Sequence, residues 1–286
     1  RATLCLATCF SALLAISASA QSAPDDSAPA RDVSRVQSDS TPPWVTRREM
    51  IGLGISLIAT VAVAPLDKPV AGEMKETDWQ KDERLHSVTQ ALAFAGGPGP
   101  FLLGAGLFTG GMIVRSAPIY AAGERVTESV VLAAVLTGLG KGIAGRALPG
   151  VKTSEEFEWA RGFHHGNGPF VSFPSGHTAA GFAMASALTE EAGDWQPGAE
   201  RYVGPIAYAT ASAIGLARVY QRVHWMSDLP LAAAIGTWSG LSVESHSHHA
   251  RHGNAMRRII NMTMVEQTAD GETLVGWSIP FVATDP

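Results

Sequence analysis

Apolar residues recur at helical spacing along most of the chain, so helix is the element predicted almost everywhere. Residues 50–64 form one apolar run that Pro65 closes. Residues 77–95 are amphipathic, charged early, with Leu85, Val88 and Leu92 at helical spacing. Residues 101–114 are apolar and glycine-rich, and 127–145 are apolar except for Lys141. Three further apolar helices are expected at 177–188, 203–217 and 229–243. Glycine and proline mark breaks at 96–100, 150–174 and 191–204. Two β-like pieces, 261–267 and 273–281, flank the turn Asp270-Gly271. The expected fold class is all-α: a helical bundle of about six core helices with a short β-like C-terminal tail.

The N-terminal pattern is different. Arg1 precedes an apolar stretch from Leu4 to Ile16, and Ala18-Ser19-Ala20 reads as a small-residue cleavage site. Residues 1–20 are therefore expected to be an export signal, with an uncleaved membrane anchor as the other reading. Cys5 and Cys9 are the two cysteines of the chain. Both lie in this segment, so the mature chain would carry neither a disulfide nor a cysteine metal site. Residues 21–46, rich in Ser, Pro, Ala and Asp, read as a linker. The helical domain is expected over 47–258 and the tail over 259–286.

Composition sharpens one question and closes another. A net charge of −5 gives nucleic acid nothing to bind, and none is expected as a partner. Charged residues make up 16% of the chain, against about 25% in globular proteins. The apolar runs fall short of the ~20 residues a span needs, and the mean hydropathy of +0.10 is low for a membrane protein. Several runs nevertheless lack the polar face a water-exposed helix shows. The balance favours membrane integration, with a soluble periplasmic protein as the alternative. Arg257-Arg258, beyond the last apolar helix, would lie in the cytoplasm by the positive-inside rule. The opposite end of that helix would then face the exterior.

Against this apolar background a few polar residues stand out. In Pro174-Ser175-Gly176-His177, Ser175 is a good N-cap and a helix follows at once. Unpaired N–H groups at a helix start attract anions. Gly176 lets the backbone approach a ligand, and His177 stands in the first turn, where it can give a proton to a leaving oxygen. His224 and Asp228 are four residues apart and thus neighbours on a helix. A carboxylate there can orient the ring and leave its other nitrogen free as a nucleophile. Arg218 offers a planar fork for phosphate oxygens. Lys141 interrupts an apolar helix, which is costly unless it is paired or solvated; a bound phosphate would pair it.

Lys141, then Pro-Ser-Gly-His, then Arg218-x5-His224-x3-Asp228, in this order, resemble the type 2 phosphatidic acid phosphatase (PAP2) and vanadium haloperoxidase superfamily. The likeness is detailed over roughly 127–243. The family pattern has Lys, six residues, then Arg-Pro; Lys141 and Pro149 fit, but Leu148 stands where the arginine is expected. Ala217 likewise replaces the serine before Arg218. Arg146 corresponds to a second arginine that many members carry. It is placed with the phosphate-binding group, a role open to it only if the helix has ended, since two helical residues lie about 200° apart.

The resemblance implies a phosphatase acting on a phosphate monoester or diphosphate, on a phosphorylated lipid or a small phosphoester. His224 would attack phosphorus to form a phosphohistidine, oriented by Asp228, and His177 would protonate the leaving group. Lys141, Ser175, Gly176, Arg218 and Arg146 would hold the phosphate oxygens. No metal or other cofactor is required on this route. A vanadium-dependent haloperoxidase and a weakened phosphate- or lipid-binding membrane protein are the alternatives. Arg161 and Arg222 are candidates to compensate for Leu148. His164-His165 read as a solvated loop in preference to a substrate entrance. His246, His248, His249 and His252 read as an interfacial segment in preference to a metal site. Trp44, Trp159, Trp225 and Trp238 fit membrane interfaces and buried packing equally well.

Overall fold

The computed structural model describes residues 45–76, 78–152, 168–249, 263–267 and 273–277. The expected export signal, the expected linker as far as residue 44, Trp159, Arg161, His164, His165, His252 and Arg257-Arg258 lie outside the described residues. In chain order the helices are α1 (Arg47–Val63), α2 (Asp67–Glu76), α3 (Glu83–Gly96), α4 (Gly99–Ile113), α5 (Ala117–Ala144), α6 (Gly176–Trp195), α7 (Glu200–Tyr220) and α8 (Asp228–His249). Short 3₁₀ turns, Ala64–Leu66 and Asp78–Lys81, join α1 to α2 and precede α3. The tail pairs β1 (Thr263–Gln267) with β2 (Thr273–Trp277) antiparallel, Val265 opposite Val275. By contacts the chain divides into two compact units, Arg1–Glu244 and Ser245–Pro286.

The expected stop at Pro65 holds: α1 ends at Val63, and Pro65 sits in the 3₁₀ turn that leads into α2 within the 29-residue candidate span Arg47–Lys75. Proline is tolerated in a first turn, where no helical N–H is lost. One expected boundary moved: α5 begins at Ala117 rather than at 127. The added turns carry Glu124 and Arg125, and Arg125 pairs within the bundle. It meets Glu191, lies 2.8 Å from Glu244, and lies 3.5 Å from Asp194. Those partners stand on α6 and α8, so tertiary pairing overrides local polarity.

Helix α6 is the centre of the bundle. Its Ala179, Ala180, Ala183 and Ala187 pack with Val126, Val130 and Ala133 of α5. Its Phe182 and Ala185 pack with Tyr208 and Ala211 of α7, Leu229 and Ala233 of α8, and Val70 and Met74 of α2. Small residues allow these helices to approach closely. On α8, a Cβ added at Gly236 would strike the Ala179 carbonyl, and one at Gly240 would lie 2.5 Å from Ser186 Cβ.

Helix α1 has the opposite character. Its apolar side chains Met50, Ile51, Ile55, Ile58 and Val61 are all exposed, and Ser56 is its buried residue. A water-exposed helix would show a polar face here. By length and composition Arg47–Lys75 and Ala117–Ala144 suffice to cross a membrane. The pair α3 and α4, bent by 55° at Gly97-Pro98, passes the same test as one broken span.

Candidate active site

The four chain ends that meet at one side of the bundle carry the chemistry. Helix α5 stops at Ala144, capped by Gly145 in the left-handed conformation (φ 53°). The chain then runs extended, with Arg146 O accepting from Ser172 N (3.0 Å) and Pro169 O accepting from Leu148 N (2.8 Å). This pairing brings the 169–174 segment back to start α6. Ser175 caps α6 by accepting from Thr178 N (3.4 Å) and Thr178 Oγ1 (2.9 Å). The N–H groups of Gly176 and His177, first in the helix, have no helical acceptor.

Lys141 lies beside that helix mouth. Its Nζ donates to Val171 O at 2.6 Å, and its Cε would sit 3.7 Å from a Cβ placed on Gly176. His177 leans on the bend between α3 and α4. A Cβ on Gly97 would come within 3.0 Å of His177 Nε2, and one on Gly96 within 3.0 Å of His177 O. Glycine at 97 leaves room for the ring, and glycine at 96 for the His177 backbone and Ile214. Burial pushes the His177 pKa down, and the charges of Arg218, His224 and Lys141 push it the same way, to about 4. Arg218 Nη1 donates to Gln221 Oε1 (2.6 Å), while its buried Nε has no hydrogen-bond partner among the described residues.

His224 follows α7 in the turn before α8 and is buried. Its Nδ1 lies 3.4 Å from Asp228 Oδ2, so Nε2 points away from the carboxylate. Burial lowers the ring's pKa; the hydrogen bond and charge of Asp228 oppose this without reversing it. The neutral, nucleophilic form is thereby favoured. Asp228 is fully buried and heavily bonded. Oδ2 accepts from Ser172 Oγ (2.6 Å) and Trp225 N (2.8 Å), and Oδ1 accepts from Arg146 Nη1 (2.7 Å). Burial alone would raise its pKa; His224, Arg146 and Ser172 together outweigh burial and hold it below the usual carboxylate range.

Arg146 lies beyond the end of the helix, as a place in the site required, and its fork is bonded to side chains of the protein. Nη1 donates to Asp228 Oδ1 and to Ser227 Oγ (2.7 Å each), and Nη2 donates to Asp67 Oδ2 (2.8 Å). The guanidinium also stacks 5.2 Å from the Trp225 ring centroid. Two buried carboxylates hold it fast, so it positions Asp228.

Asp67, at the start of α2, was missed by sequence reasoning. It accepts from Ser227 N (2.9 Å) and Ser227 Oγ (2.5 Å) as well as from Arg146. The signal was available: a carboxylate inside a long apolar segment demands a partner, the same argument that singled out Lys141. Ser172 and Ser227 carry no such mark in sequence. Trp225 donates Nε1–H to Ala147 O (2.7 Å), which makes it a packing residue here. Arg222 has φ 59°, and its Nη2 would meet a Cβ on Gly150 at 3.1 Å, beside the Leu148–Gly150 turn.

Residues 125–249 match the PAP2 superfamily. The resemblance drawn from the motifs therefore holds over the segment that carries them. Lipid A 1-phosphatase of Porphyromonas gingivalis is 38% identical over 69 residues, which is 24% of this chain. The aligned part spans only 15% of that relative's length. The crystal structure of a transmembrane PAP2 type phosphatidylglycerolphosphate phosphatase from Bacillus subtilis aligns with a TM-score of 0.48 at 18% identity. That alignment covers 72% of this chain and 99% of the other.

Removing Asp67 leaves Arg146 with one buried carboxylate in place of two. Asp67→Ala is expected to lower stability by about 3–5 kcal/mol, read by denaturation in detergent micelles; a loss under about 1 kcal/mol would show that the network is dispensable. The His177 pKa gives a second expectation. Its folded value of about 4 lies below the ordinary 6.5, so the fold holds the neutral ring. That stabilisation is complete above pH 6.5 and is lost as pH falls from 6.5 toward 4. Melting temperature of the phosphate-free protein should fall across this window, and His177→Asn should flatten part of the slope.

Proposed function

Taking 125–249 as a PAP2 superfamily segment, we propose that this protein is a membrane phosphatase that hydrolyses a phosphate monoester or diphosphate of a lipid through a phosphohistidine. The observation that carries the reading is the His224–Asp228 contact, which turns Nε2 away from the carboxylate while burial keeps the ring neutral. In the first step His224 Nε2 attacks phosphorus and the bond to the leaving oxygen breaks. His177 delivers its proton to that oxygen. Asp228 stabilises the charge that appears on the His224 ring. Lys141, Arg218 and the N–H groups at the start of α6 hold the non-bridging oxygens. In the second step neutral His177 takes a proton from water, the water oxygen attacks phosphorus, and the N–P bond breaks to release phosphate.

The low His177 pKa fits this sequence. Without ligand, burial and then the nearby cations keep the ring neutral. A bound phosphate brings negative charge beside it and raises its pKa, so the acid is loaded as the substrate arrives. Ser175, by contrast, points its oxygen at the backbone of its own helix, and its contribution to phosphate binding is through the cap. The exposed apolar α1 supports a membrane setting, where a lipid substrate would be at hand. The site lies at the Asp228 end of α8 and Arg257-Arg258 follow the other end, which supports a site facing the periplasm of an exported inner-membrane protein.

Purified protein should release phosphate from lipid phosphates, and His224→Ala should reduce turnover by about 10³-fold or more. Activity that survives this substitution would sink the mechanism. Leu148→Arg should raise the rate, up to about 10²-fold, by adding a clamp on the phosphoryl oxygens. An unchanged rate would mean that another residue, Arg222 foremost, already fills that place.

A further inference from the structure

Helix α7 ends in a way that fixes two side chains at once. Val223 N donates to Arg218 O (3.2 Å), Arg222 N to Val219 O (2.9 Å) and Gln221 N to Ala217 O (2.9 Å). This is a Schellman end, with Arg222 (φ 59°) in the left-handed position that glycine ordinarily takes. Gln221, the residue before that turn, is thereby held about one helical turn beyond Arg218. Residues three apart on a helix are neighbours, so the two side chains meet.

The Gln221 side chain then bridges two helices. Its Oε1 accepts from Arg218 Nη1 (2.6 Å), and its Nε2 donates to Thr89 O of α3 (2.9 Å), 132 residues away in sequence. Only one orientation of the amide serves, because a guanidinium can only donate and a carbonyl can only accept. Glutamate could not donate to Thr89 O, lysine could not accept from Arg218, and asparagine is one methylene shorter. The anchor is itself fixed. Thr89 is buried, and Gln80 Nε2 donates to Tyr220 O (2.9 Å), which ties the turn before α3 to the same end of α7.

The consequence falls on the guanidinium. Nη1 is committed to Gln221, while the buried Nε has no hydrogen-bond partner among the described residues. A buried donor left unpaired is costly, and a phosphate oxygen would relieve it. The charge of Arg218 acts on both His177 and His224, so the anion it serves is the one between the acid and the nucleophile. A loose arginine would give up its rotamer freedom on binding. Held by Gln221, this one has given it up beforehand, and its remaining donors are aimed before the phosphate arrives.

Resting on the phosphatase reading, we propose that Gln221 is a positioning residue. It acts through Arg218, setting the direction of the guanidinium fork toward the phosphoryl oxygens from a fixed point on α3. The test is a double-mutant cycle on the full chain in detergent micelles. Phosphate release from radiolabelled dodecyl phosphate is the readout, because the uncatalysed background is negligible. Gln221→Leu should lower kcat/KM about tenfold or more, as loss of a hydrogen bond to a charged group does. In an Arg218→Ala background the same change should alter it by less than about twofold, since the residue it acts through is gone. A loss as large in that background, or none in the wild-type one, would overturn the assignment.

Affinity for inorganic phosphate, read by calorimetry, needs no turnover. Gln221→Leu should weaken it about tenfold. Gln221→Glu, of the same shape as glutamine, should weaken it further, because its carboxylate opposes the anion. Wild-type affinity in either variant, or equal losses in both, would overturn the assignment as well. Wild type that binds phosphate but releases none would sink the phosphatase reading alone, and the affinities would still decide Gln221. Neither binding nor release would overturn both.

Discussion

A guanidinium buried between two carboxylates is the interaction on which the site end of this protein depends. Arg146 joins Asp67 of α2 to Asp228 of α8, with Ser227 bonded to both Arg146 and Asp67. Charges this deep are tolerable only when every one is paired and hydrogen-bonded, because desolvation of each ion costs several kcal/mol. The network meets that condition from three separate stretches of chain. It thereby locks the first helical segment, the strand after α5 and the start of α8 into one arrangement. The orientation of His224 is inherited from it, since Asp228 can aim one oxygen at the ring only while Arg146 and Ser172 hold the carboxylate.

The remaining elements supply space and polarity around that fixed point. Small residues on α6 and α8 bring the helices close enough for four chain ends to converge. Glycine at 97, in the bend between α3 and α4, admits the His177 ring. At the far end of the bundle Arg125 draws Glu191 and Glu244 together. Both ends of the bundle thus carry buried charged clusters, and the interior between them is built of apolar side chains and buried Ser and Thr.

Much of this was legible in the chain itself. Apolar periodicity marked the cores of α1, α3, α4, α5, α6, α7 and α8, because a buried stripe must recur every turn. Pro-Ser-Gly announced the start of α6, because an N-cap is a local matter of one side chain and one backbone turn. The His224-x3-Asp228 spacing placed the ring and the carboxylate together for the same reason. Where the reading fell short, the cause was distant in sequence. Pro65 marked the end of α1, but not that a second helix, α2, follows directly after the turn. The start of α5 lay ten residues before the expected one, where Arg125 finds its partners on α6 and α8.

The split between Arg146 and Lys141 shows the limit most clearly. Both are cations at the end of one apolar helix, and by sequence both were candidates for phosphate. Local rules determine that such charges need partners; they do not say which partners. Asp67 lies 79 residues from Arg146, and only the packing of α2 against α8 brings its carboxylate within hydrogen-bond reach. Sequence alone determined the helices, their caps and the set of chemically able residues, since these depend on neighbours within a turn or two. The tertiary structure decided which of those residues hold one another and which face open space, since burial and charge pairing are settled only when distant segments meet.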